Sequence, residues 1–327
     1  MRKRDLKSRR RALFALAGLL FFAGGAGAQD FPTRPITIVV PFPPGALSDS
    51  AARAIQQPLK ESLGQPIVVE NRPGAGGSIG SAFVARAKPD GHTLLLVVNT
   101  VFTAAPTLTL RPLFDPLRDF VHISKLANTP MVLVANPALP VKTIPELLDY
   151  ARKHPGGLHY GTSGIGSGHH IAGESLKDAA GIDIVPVHYK GGAPAMTDLL
   201  GGHIELAVAV LPVVMPYLNT DKMRVLAVLD RKRSPLLPDV PTLSETVPGV
   251  EMTSWVSIAA PAGTPDNIIA RLNQAIKDAL ASDEIRQNLL KQGLIVETNS
   301  PAAMLHEIKD ETARWAKVIE KAGIPKE

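Results

Sequence analysis

The sequence predicts an α/β protein with two domains around a cleft, and two features of the 327-residue chain indicate this. Apolar runs rich in β-branched residues, such as ITIVV at 36–40 and TLLLVV at 93–98, alternate with amphipathic stretches of helical periodicity. This alternation is typical of parallel sheets that helices cover on both faces. Two connecting segments, at 113–128 and 248–258, separate blocks of such units, which indicates that the chain crosses twice between two domains.

The period of the apolar residues places each element. Strands are predicted at 36–40, 67–69, 93–98, 131–135, 159–161, 184–188, 205–210 and 224–229. Helices are predicted at 48–63, 78–87, 144–153, 170–179, 193–200, 266–282, 284–292 and 301–322. The pattern from Thr264 onward is nearly all helical, and we expect Trp315 to anchor the last helix on the core.

The two crossings predict a discontinuous first domain. We expect residues 29–128 and 252–327 to form domain I, and residues 129–251 to form domain II, inserted between them. Two strands that connect such domains can act as a hinge, so that the cleft between them opens and closes.

The first 28 residues have the order of a secretory signal peptide. Basic residues crowd positions 2–11, an apolar stretch follows at 12–23, and Ala26-Gly27-Ala28 has the form of a cleavage site. The apolar stretch is too short to span a bilayer, which needs about 20 residues. We therefore expect cleavage after Ala28, with export by the general secretory or the twin-arginine route.

Charge and cysteine content exclude several classes of function. Residues 1–28 hold seven of the 35 basic residues and one of the 30 acidic residues, which leaves 28 basic against 29 acidic residues. A nucleic-acid or anionic-membrane partner needs a strong basic surface, so neither is expected. The chain has no Cys, which excludes disulfides, a thiolate nucleophile and a Cys-ligated metal.

A loop after the first strand predicts half of an anion-binding site. The segment PFPPGALSD at 41–49 leads from a strand into a helix, a position at which open α/β sheets bind ligands. Ser48 is a candidate N-cap, and Asp49 suits the first turn of the helix. Free N–H groups in that turn can hold an anion. A rigid turn without a ligand is the alternative interpretation.

A second loop repeats this arrangement in the predicted domain II. The segment GTSGIGSGHH at 161–170 follows a strand and opens another helix. Its hydroxyl groups and four nearby glycines let backbone N–H groups approach a ligand closely. Two such loops facing each other across a cleft suit a dicarboxylate or another small acid.

Three segments resemble motifs for dinucleotide binding, nucleophilic catalysis or zinc binding, but none has the residues that its motif requires at the required positions. GAGGSIG at 74–80 lacks the third glycine of a dinucleotide fingerprint because Ile79 takes its place. Ile165 likewise breaks the nucleophile-elbow pattern around Ser163 and Ser167. The pair His169-His170 lacks the i, i+4 partner of a helical zinc site. We therefore expect no catalytic residues, no metal and no cofactor.

Several collinear segments carry a resemblance to a known family. They are PFPPGALSDSAAR, NRPGAGGSIGSAFVARAKPDGHTLL, YGTSGIGSGHHIAGE, VHYKGGAPAMTDLLGG, KRSPLLPDVPTLSE, PGVEMTSWVSIAAPAGTP and ETARWAKVIEKAGI. Together they resemble the Bug receptors, the periplasmic solute-binding proteins of tripartite tricarboxylate transporter systems. The resemblance covers essentially all of the chain after the leader.

The resemblance implies a type II periplasmic-binding-protein fold and a small organic acid bound in the interdomain cleft. It also implies a periplasmic location, membrane subunits of a tripartite tricarboxylate transporter as partners, no enzymatic activity, and a monomer. Matching positions in the family's motifs make the following residues candidates for ligand binding: Phe42, Pro43, Pro44, Gly45, Asp49, Asn99, Thr100, Thr162, Ser163, Gly166, Ser167, His170 and Tyr189. Ala46 and Leu47 complete the first loop.

Two positions depart from the family's pattern. Ala46 stands where relatives carry a second glycine, and Ala207-Val208-Ala209-Val210 lacks an acidic residue found in many of them. If Ala209 faces the ligand, a buried ammonium group lacks a partner there, and we expect acids without an α-ammonium group to be preferred. If Ala209 points into the core, it has no such effect. A secreted hydrolase and a sensor that presents its ligand to a membrane kinase are the alternative functions.

Overall fold

The computed structural model describes residues 31–326, whose strands form one mixed sheet of ten strands. The strands are β1 (Ile36–Val40), β2 (Ile67–Asn71), β3 (Thr93–Val98), β4 (Phe120–Ala135), β5 (His159–Thr162), β6 (Val185–His188), β7 (Leu206–Val210), β8 (Arg224–Val228), β9 (Thr253–Pro261) and β10 (Ile295–Val296). The helices are α1 (Leu47–Leu63), α2 (Ser78–Ala85), α3 (Asn99–Thr103), α4 (Ala105–Leu108), α5 (Ile144–Lys153), α6 (Gly168–Ala180), α7 (Gly192–Leu200), α8 (Leu211–Val214), α9 (Asp266–Ala281), α10 (Asp283–Lys291) and α11 (Pro301–Lys321). The predicted signal peptide, residues 1–28, lies outside the described residues.

The sheet is parallel at both ends and antiparallel in its centre. The strand order is β2-β1-β3-β9-β4-β7-β5-β6, and β8 and β10 also pair with β4. β1 is parallel to β2 and β3, and β5 is parallel to β6 and β7. β9 is antiparallel to β3 and β4. The prediction of parallel strands is confirmed at the ends and wrong for the centre, because β4 and β9 carry the chain in opposite directions between the two halves.

Strand β4 connects the two halves of the sheet. Its part up to Pro130 pairs with β9, and its part from Met131 to Ala135 pairs with β7 and β8. The segments at 113–128 and 248–258, which we interpreted as connections, therefore contain much of β4 and the start of β9. Residues from Arg34 onward form one compact unit, and the division into domains I and II stays a prediction.

The buried side chains form large hydrophobic clusters on the two halves of the sheet. Val39, Leu95 and Phe102 belong to the cluster of the first half. Trp315, which is 3% exposed, belongs instead to the cluster built on Leu133 and the second half. Its predicted role as the anchor of the last helix is confirmed, since it packs α11 against that core.

Local sequence signals set the ends of several helices. Thr143 and Ser300 cap the starts of α5 and α11, because each side chain accepts a hydrogen bond from a first-turn amide. Gly64 and Gly181 end α1 and α6 in the left-handed conformation that glycine adopts without strain. No helix in residues 31–326 has both the length and the apolar character that crossing a membrane requires.

Candidate functional site

The carboxylate of Asp49, in the first turn of α1, holds the first predicted loop closed. Asp49 is 3% exposed, and its Oδ2 accepts hydrogen bonds from the Gly45 amide and from Arg53 Nε, each at 2.9 Å. Its Oδ1 accepts a hydrogen bond from Asn71 Nδ2 at 2.9 Å. The Arg53 bond, helped by those from Gly45 and Asn71, lowers the pKa of Asp49 to about 2 despite burial. Both carboxylate oxygens are therefore engaged within the fold.

The helix after this loop begins one residue earlier than the sequence predicts. Ala46 has an extended backbone and precedes the first helical residue, Leu47. Ser48 lies inside α1 and is 2% exposed, so its predicted N-cap role is wrong. The Asp49 carboxylate accepts a hydrogen bond from the Gly45 amide of the loop instead.

Among the other candidates of the first loop, Pro43, Pro44 and Gly45 are exposed, and Phe42, Ala46 and Leu47 are half-buried.

Ser167 organises the second loop. Its Oγ accepts a hydrogen bond from the His170 amide at 3.3 Å, which makes Ser167 the N-cap of α6, and donates one to the Gly164 carbonyl at 2.7 Å. The Gly166 amide donates to His170 Nδ1 at 3.1 Å. The hydroxyl of Ser167 and the amide of Gly166 thus stabilise the loop itself.

Neutral histidines surround the second loop. Ser163 Oγ lies 2.5 Å from His169 Nδ1, and Thr162, which is fully buried, lies with its Oγ1 2.9 Å from His188 Nδ1. Burial lowers the pKa of His169 to about 4. Burial and the nearby His188 lower the pKa of His170 to about 4 as well. The imidazoles of this loop therefore supply hydrogen bonds at neutral pH and no positive charge.

Two other candidates hold neighbouring elements together. Asn99 is 2% exposed and donates from Nδ2 to the Thr253 carbonyl at 2.8 Å, which ties the start of α3 to β9. The Tyr189 hydroxyl donates to Asp198 Oδ2 at 2.7 Å. Burial and this carboxylate raise the pKa of Tyr189 to about 12. Both polar groups have partners within the protein.

Ala209 lies in the hydrophobic core. It is 2% exposed and belongs to a buried cluster with Val132, Met196 and Val214. Its position in β7, opposite Val132 of β4, places it in the centre of the sheet. This arrangement matches the interpretation in which position 209 points into the core.

A cavity of about 290 Å³ lies between the second predicted loop and the start of α3, and no residue of the first predicted loop lines it. Thr100, Gly166 and Ser167 are the predicted site residues that line it. Its other lining residues are Ala75, Gly76, Ser78, Val101, Ala104, Ala105, Leu108, Thr109, Ile165 and Pro325. Among residues 31–326, the lining contains no charged side chain.

The segment at 74–78 was missed as part of this cavity, although its glycines gave a signal. A Cβ on Gly77 would lie 3.0 Å from Val101 Cγ2 and 3.3 Å from Phe42 Cζ, and Gly77 has a φ of 100°. Only glycine allows this close approach, which places the segment beside the first loop and α3. Leu108 and Pro325 have no comparable signal, because they reach the cavity only through tertiary packing.

A larger cavity, of about 560 Å³, lies away from every predicted site residue. It is lined by β4, β9, β10, α11 and the segment after β8, and charged side chains dominate its walls. Its size falls within the usual range for ligand cavities, but neither predicted loop reaches it. No group of three or more His, Asp or Glu side chains in the described part of the chain is arranged to hold a metal ion.

The chain is similar over nearly its whole length to known receptors. The model of the tripartite tricarboxylate transporter family receptor matches residues 51–324. Protein BugT of Bordetella pertussis is 36% identical over 320 residues, which cover 95% of this chain and 97% of that protein. A protein encoded in the tcbD-tcbE intergenic region of Pseudomonas sp. strain P51 is 37% identical, with 95% and 94% covered. The chain belongs to this receptor family.

Solved structures share the fold of this receptor. An R. palustris protein solved with adipate is 37% identical with a TM-score of 0.78, and the match covers 90% of this chain and 99% of that one. The periplasmic binding protein BugD is 34% identical with a TM-score of 0.74, with 91% and 100% covered. MatC from Rhodopseudomonas palustris, solved with bound malate, is 32% identical with a TM-score of 0.74, with 88% and 100% covered. The predicted fold class and the solute-binding function are confirmed.

Proposed function

We propose that this receptor captures a small organic acid by its carboxylate groups in the 290 Å³ cavity and the adjoining loops. After export to the periplasm and removal of residues 1–28, the protein delivers the acid, as a monomer, to the membrane subunits of a tripartite tricarboxylate transporter. Domain I (29–128 and 252–327) and domain II (129–251) close around the acid through the β4 and β9 connection.

The start of α6 at an uncharged cavity is the observation that carries this proposal. Ser167, the N-cap of α6, lines the cavity. Ser78, the first residue of α2, lines it too, but its amide already donates to the Ala75 carbonyl. The N-terminus of a helix bears partial positive charge, and its first amides have no partner inside the helix. Such amides bind anions without a cationic side chain, and the lining contains none.

The size of the cavity favours a small solute. A volume of about 290 Å³ lies at the low end of the range of about 300–1,000 Å³ that is usual for ligand cavities. Adipate and malate, the acids named with two relatives of known structure, are small acids with two carboxylate groups. A dicarboxylate with one group at the start of α6 is therefore the class we propose for this chain.

The side-chain donors that remain for the acid are few. The Thr100 hydroxyl lies beside the cavity. The Ser163 hydroxyl, in the second loop, contacts His169 Nδ1, and Ser167 and Gly166 are engaged within that loop. We assign the first contacts to the hydroxyls of Thr100 and Ser163 and to the amides that open α6. Asp49 and His170 act as positioning residues, because each holds a loop in shape through hydrogen bonds.

We infer that the receptor leaves its ligand chemically unchanged. The contact of Ser163 Oγ with His169 Nδ1 at 2.5 Å resembles part of the site that the hydrolase alternative requires. A triad also needs a third group that orients the histidine, and His169 Nε2 has no hydrogen-bond partner among the described residues. The low pKa of His169 makes it a weak base. Hydrolysis of p-nitrophenyl esters that disappears in Ser163→Ala would contradict this inference.

A thermal-shift screen of mono-, di- and tricarboxylates tests the proposed ligand class. Protein unfolded and refolded to remove any bound acid serves as the sample, and amino acids serve as a comparison set. An acid at about 100 times its dissociation constant stabilises the native state by about 2.7 kcal/mol, which corresponds to a melting shift on the order of 5 °C. The absence of a shift with every acid would contradict the proposal.

A further inference from the structure

We infer that the 560 Å³ cavity is a second binding site, separate from the acid site, which takes a small organic cation bearing primary ammonium groups. The cavity lies between the central strands β4 and β9 and the helix α11. Three acceptor atoms in its lining have no hydrogen-bond donor in the described part of the chain, and they belong to Asn128, Asp230 and Glu311.

Glu311 of α11 is the central residue of this site. It is 4% exposed, and its Oε1 accepts a hydrogen bond from Trp255 Nε1 at 3.0 Å. Its Oε2 has no partner among the described residues. A buried carboxylate oxygen without a donor is costly, and burial raises the pKa of Glu311 to about 7. An ammonium ligand supplies the missing donor and the opposite charge.

Asp230 and Asn128 provide two further acceptors from other elements. Asp230 follows β8, and burial raises its pKa to about 7 although Thr253 donates a hydrogen bond to it. Its Oδ1 has no donor, nor does Asn128 Oδ1 of β4. Asn128 Nδ2 donates to Glu297 Oε2, which fixes the amide oxygen as the free acceptor. A primary ammonium group carries three donors, which matches the chemistry of this lining.

Most cations of the lining already have anionic partners. Lys125 is 3% exposed and binds Glu297 and Glu307 at 3.2 and 2.6 Å. The other ion pairs of the lining are Arg231 with Glu251, Arg233 with Glu245, and His306 with Asp310. Arg314 lies 3.9 Å from Glu251 and retains one unpartnered nitrogen, Nε, and Lys232 is exposed. The buried acids Asp230 and Glu311 are left without a cationic partner within salt-bridge distance.

The lining favours an organic cation over a metal ion. The described residues contain no group of three His, Asp or Glu side chains arranged to hold a metal. Trp315 also lines the cavity, and an indole ring attracts ammonium groups through its π-system. Dispersed oxygen acceptors beside an aromatic ring suit a cation that makes hydrogen bonds in several directions.

Calorimetry with 1,4-diaminobutane and methylammonium tests this site, since neither probe has a carboxylate to bind at the acid site. We expect 1,4-diaminobutane to bind wild-type protein and Glu311→Gln to weaken that binding at least about tenfold. Glutamine retains an acceptor for Trp255, so the fold should persist. Glu320→Gln, an exposed change on the same helix, should leave amine binding unchanged.

The outcomes separate this site from the acid site. Amine binding that Glu311→Gln removes, with the thermal shift by an organic acid retained, supports the inference. Asp230→Asn gives the same test should Glu311→Gln fail to fold. No binding of either amine at millimolar concentration, or equal binding by wild type and both variants, would overturn the second site and leave the proposed acid receptor untouched.

Discussion

The carboxylate of Asp49 accepts a hydrogen bond from the backbone amide of Gly45 at 2.9 Å. This contact closes the loop between β1 and α1 from inside the helix. It also holds Gly45 at a φ of 82°, a conformation that glycine adopts without a steric penalty. A residue that the sequence presents as part of an anion site thus determines the shape of the loop that would bind the anion.

We expect Asp49→Ala to destabilise the protein by about 1.5–3 kcal/mol, because hydrogen bonds to a buried charged acceptor are lost. The pKa of Asp49 is lowered in the folded state, so its contribution is present above the unfolded pKa and is lost as the pH falls from about 4 to about 2. Urea unfolding measures the difference. Asp149→Ala, an exposed change in α5, should alter stability by less than about 0.5 kcal/mol; equal effects would refute the role of Asp49.

Ser163 and Ser167 should respond differently to alanine. Ser167 caps α6, so Ser167→Ala should cost about 1 kcal/mol of stability. Ser163→Ala should lower affinity for the acid about tenfold or more. It should also cost about 1–3 kcal/mol of stability, because buried His169 Nδ1 loses its hydrogen-bond partner. Calorimetry that finds unchanged affinity in Ser163→Ala would place the acid elsewhere.

His170 should make the stability of the second loop depend on pH. Its Nδ1 accepts from the Gly166 amide only while the ring is neutral. The pKa of His170 is lowered to about 4, so its contribution is fully present above the unfolded pKa of about 6.5 and is lost as the pH falls toward 4.

The variant His170→Asn keeps an acceptor near the position of Nδ1 but does not titrate. We expect the melting temperature of the variant, relative to wild type, to rise as the pH falls from 7 to 4. Wild type supplies the reference at each pH, which cancels the contributions of other groups. A difference that stays constant over this range would show that His170 does not titrate between the folded and unfolded states.

Gly166 should be intolerant of a side chain for two reasons. Its φ of 67° disfavours other residues by roughly 1–2 kcal/mol, and a Cβ there would lie 2.4 Å from Leu108 Cδ1. Gly181 has a similar φ of 60° with nothing within 4 Å of its Cβ position. Gly166→Ala should therefore lower the urea midpoint more than Gly181→Ala, and Leu108→Ala should relieve the extra loss. Equal losses at the two glycines would exclude the clash.

Elements with local signals were predictable from the sequence. The bounds of β1, β3 and α5 agree with the predicted ranges, because apolar period and helix caps act over a few residues. The start of β9 was interpreted as part of a connection, since TSWVSIAAP at 253–261 shows no clear alternation of apolar and polar residues. Its antiparallel position depends on pairing with β3 and β4, which lie far away in sequence.

The sequence by itself determined the fold class, the family and the two loops that lead from a strand into a helix, since these depend on local patterns and on motifs in a fixed order. Only the tertiary structure decided what each loop residue does. Asp49, Asn99 and Ser167 direct their polar groups inward because their hydrogen-bond partners lie there. The partners of Asp49 and Asn99 come from other elements of the fold, and that of Ser167 comes from the first turn of α6. Packing likewise placed Leu108 at one cavity and left Glu311 Oε2 without a donor among the described residues at the other, because burial depends on contacts between distant segments that no local pattern records.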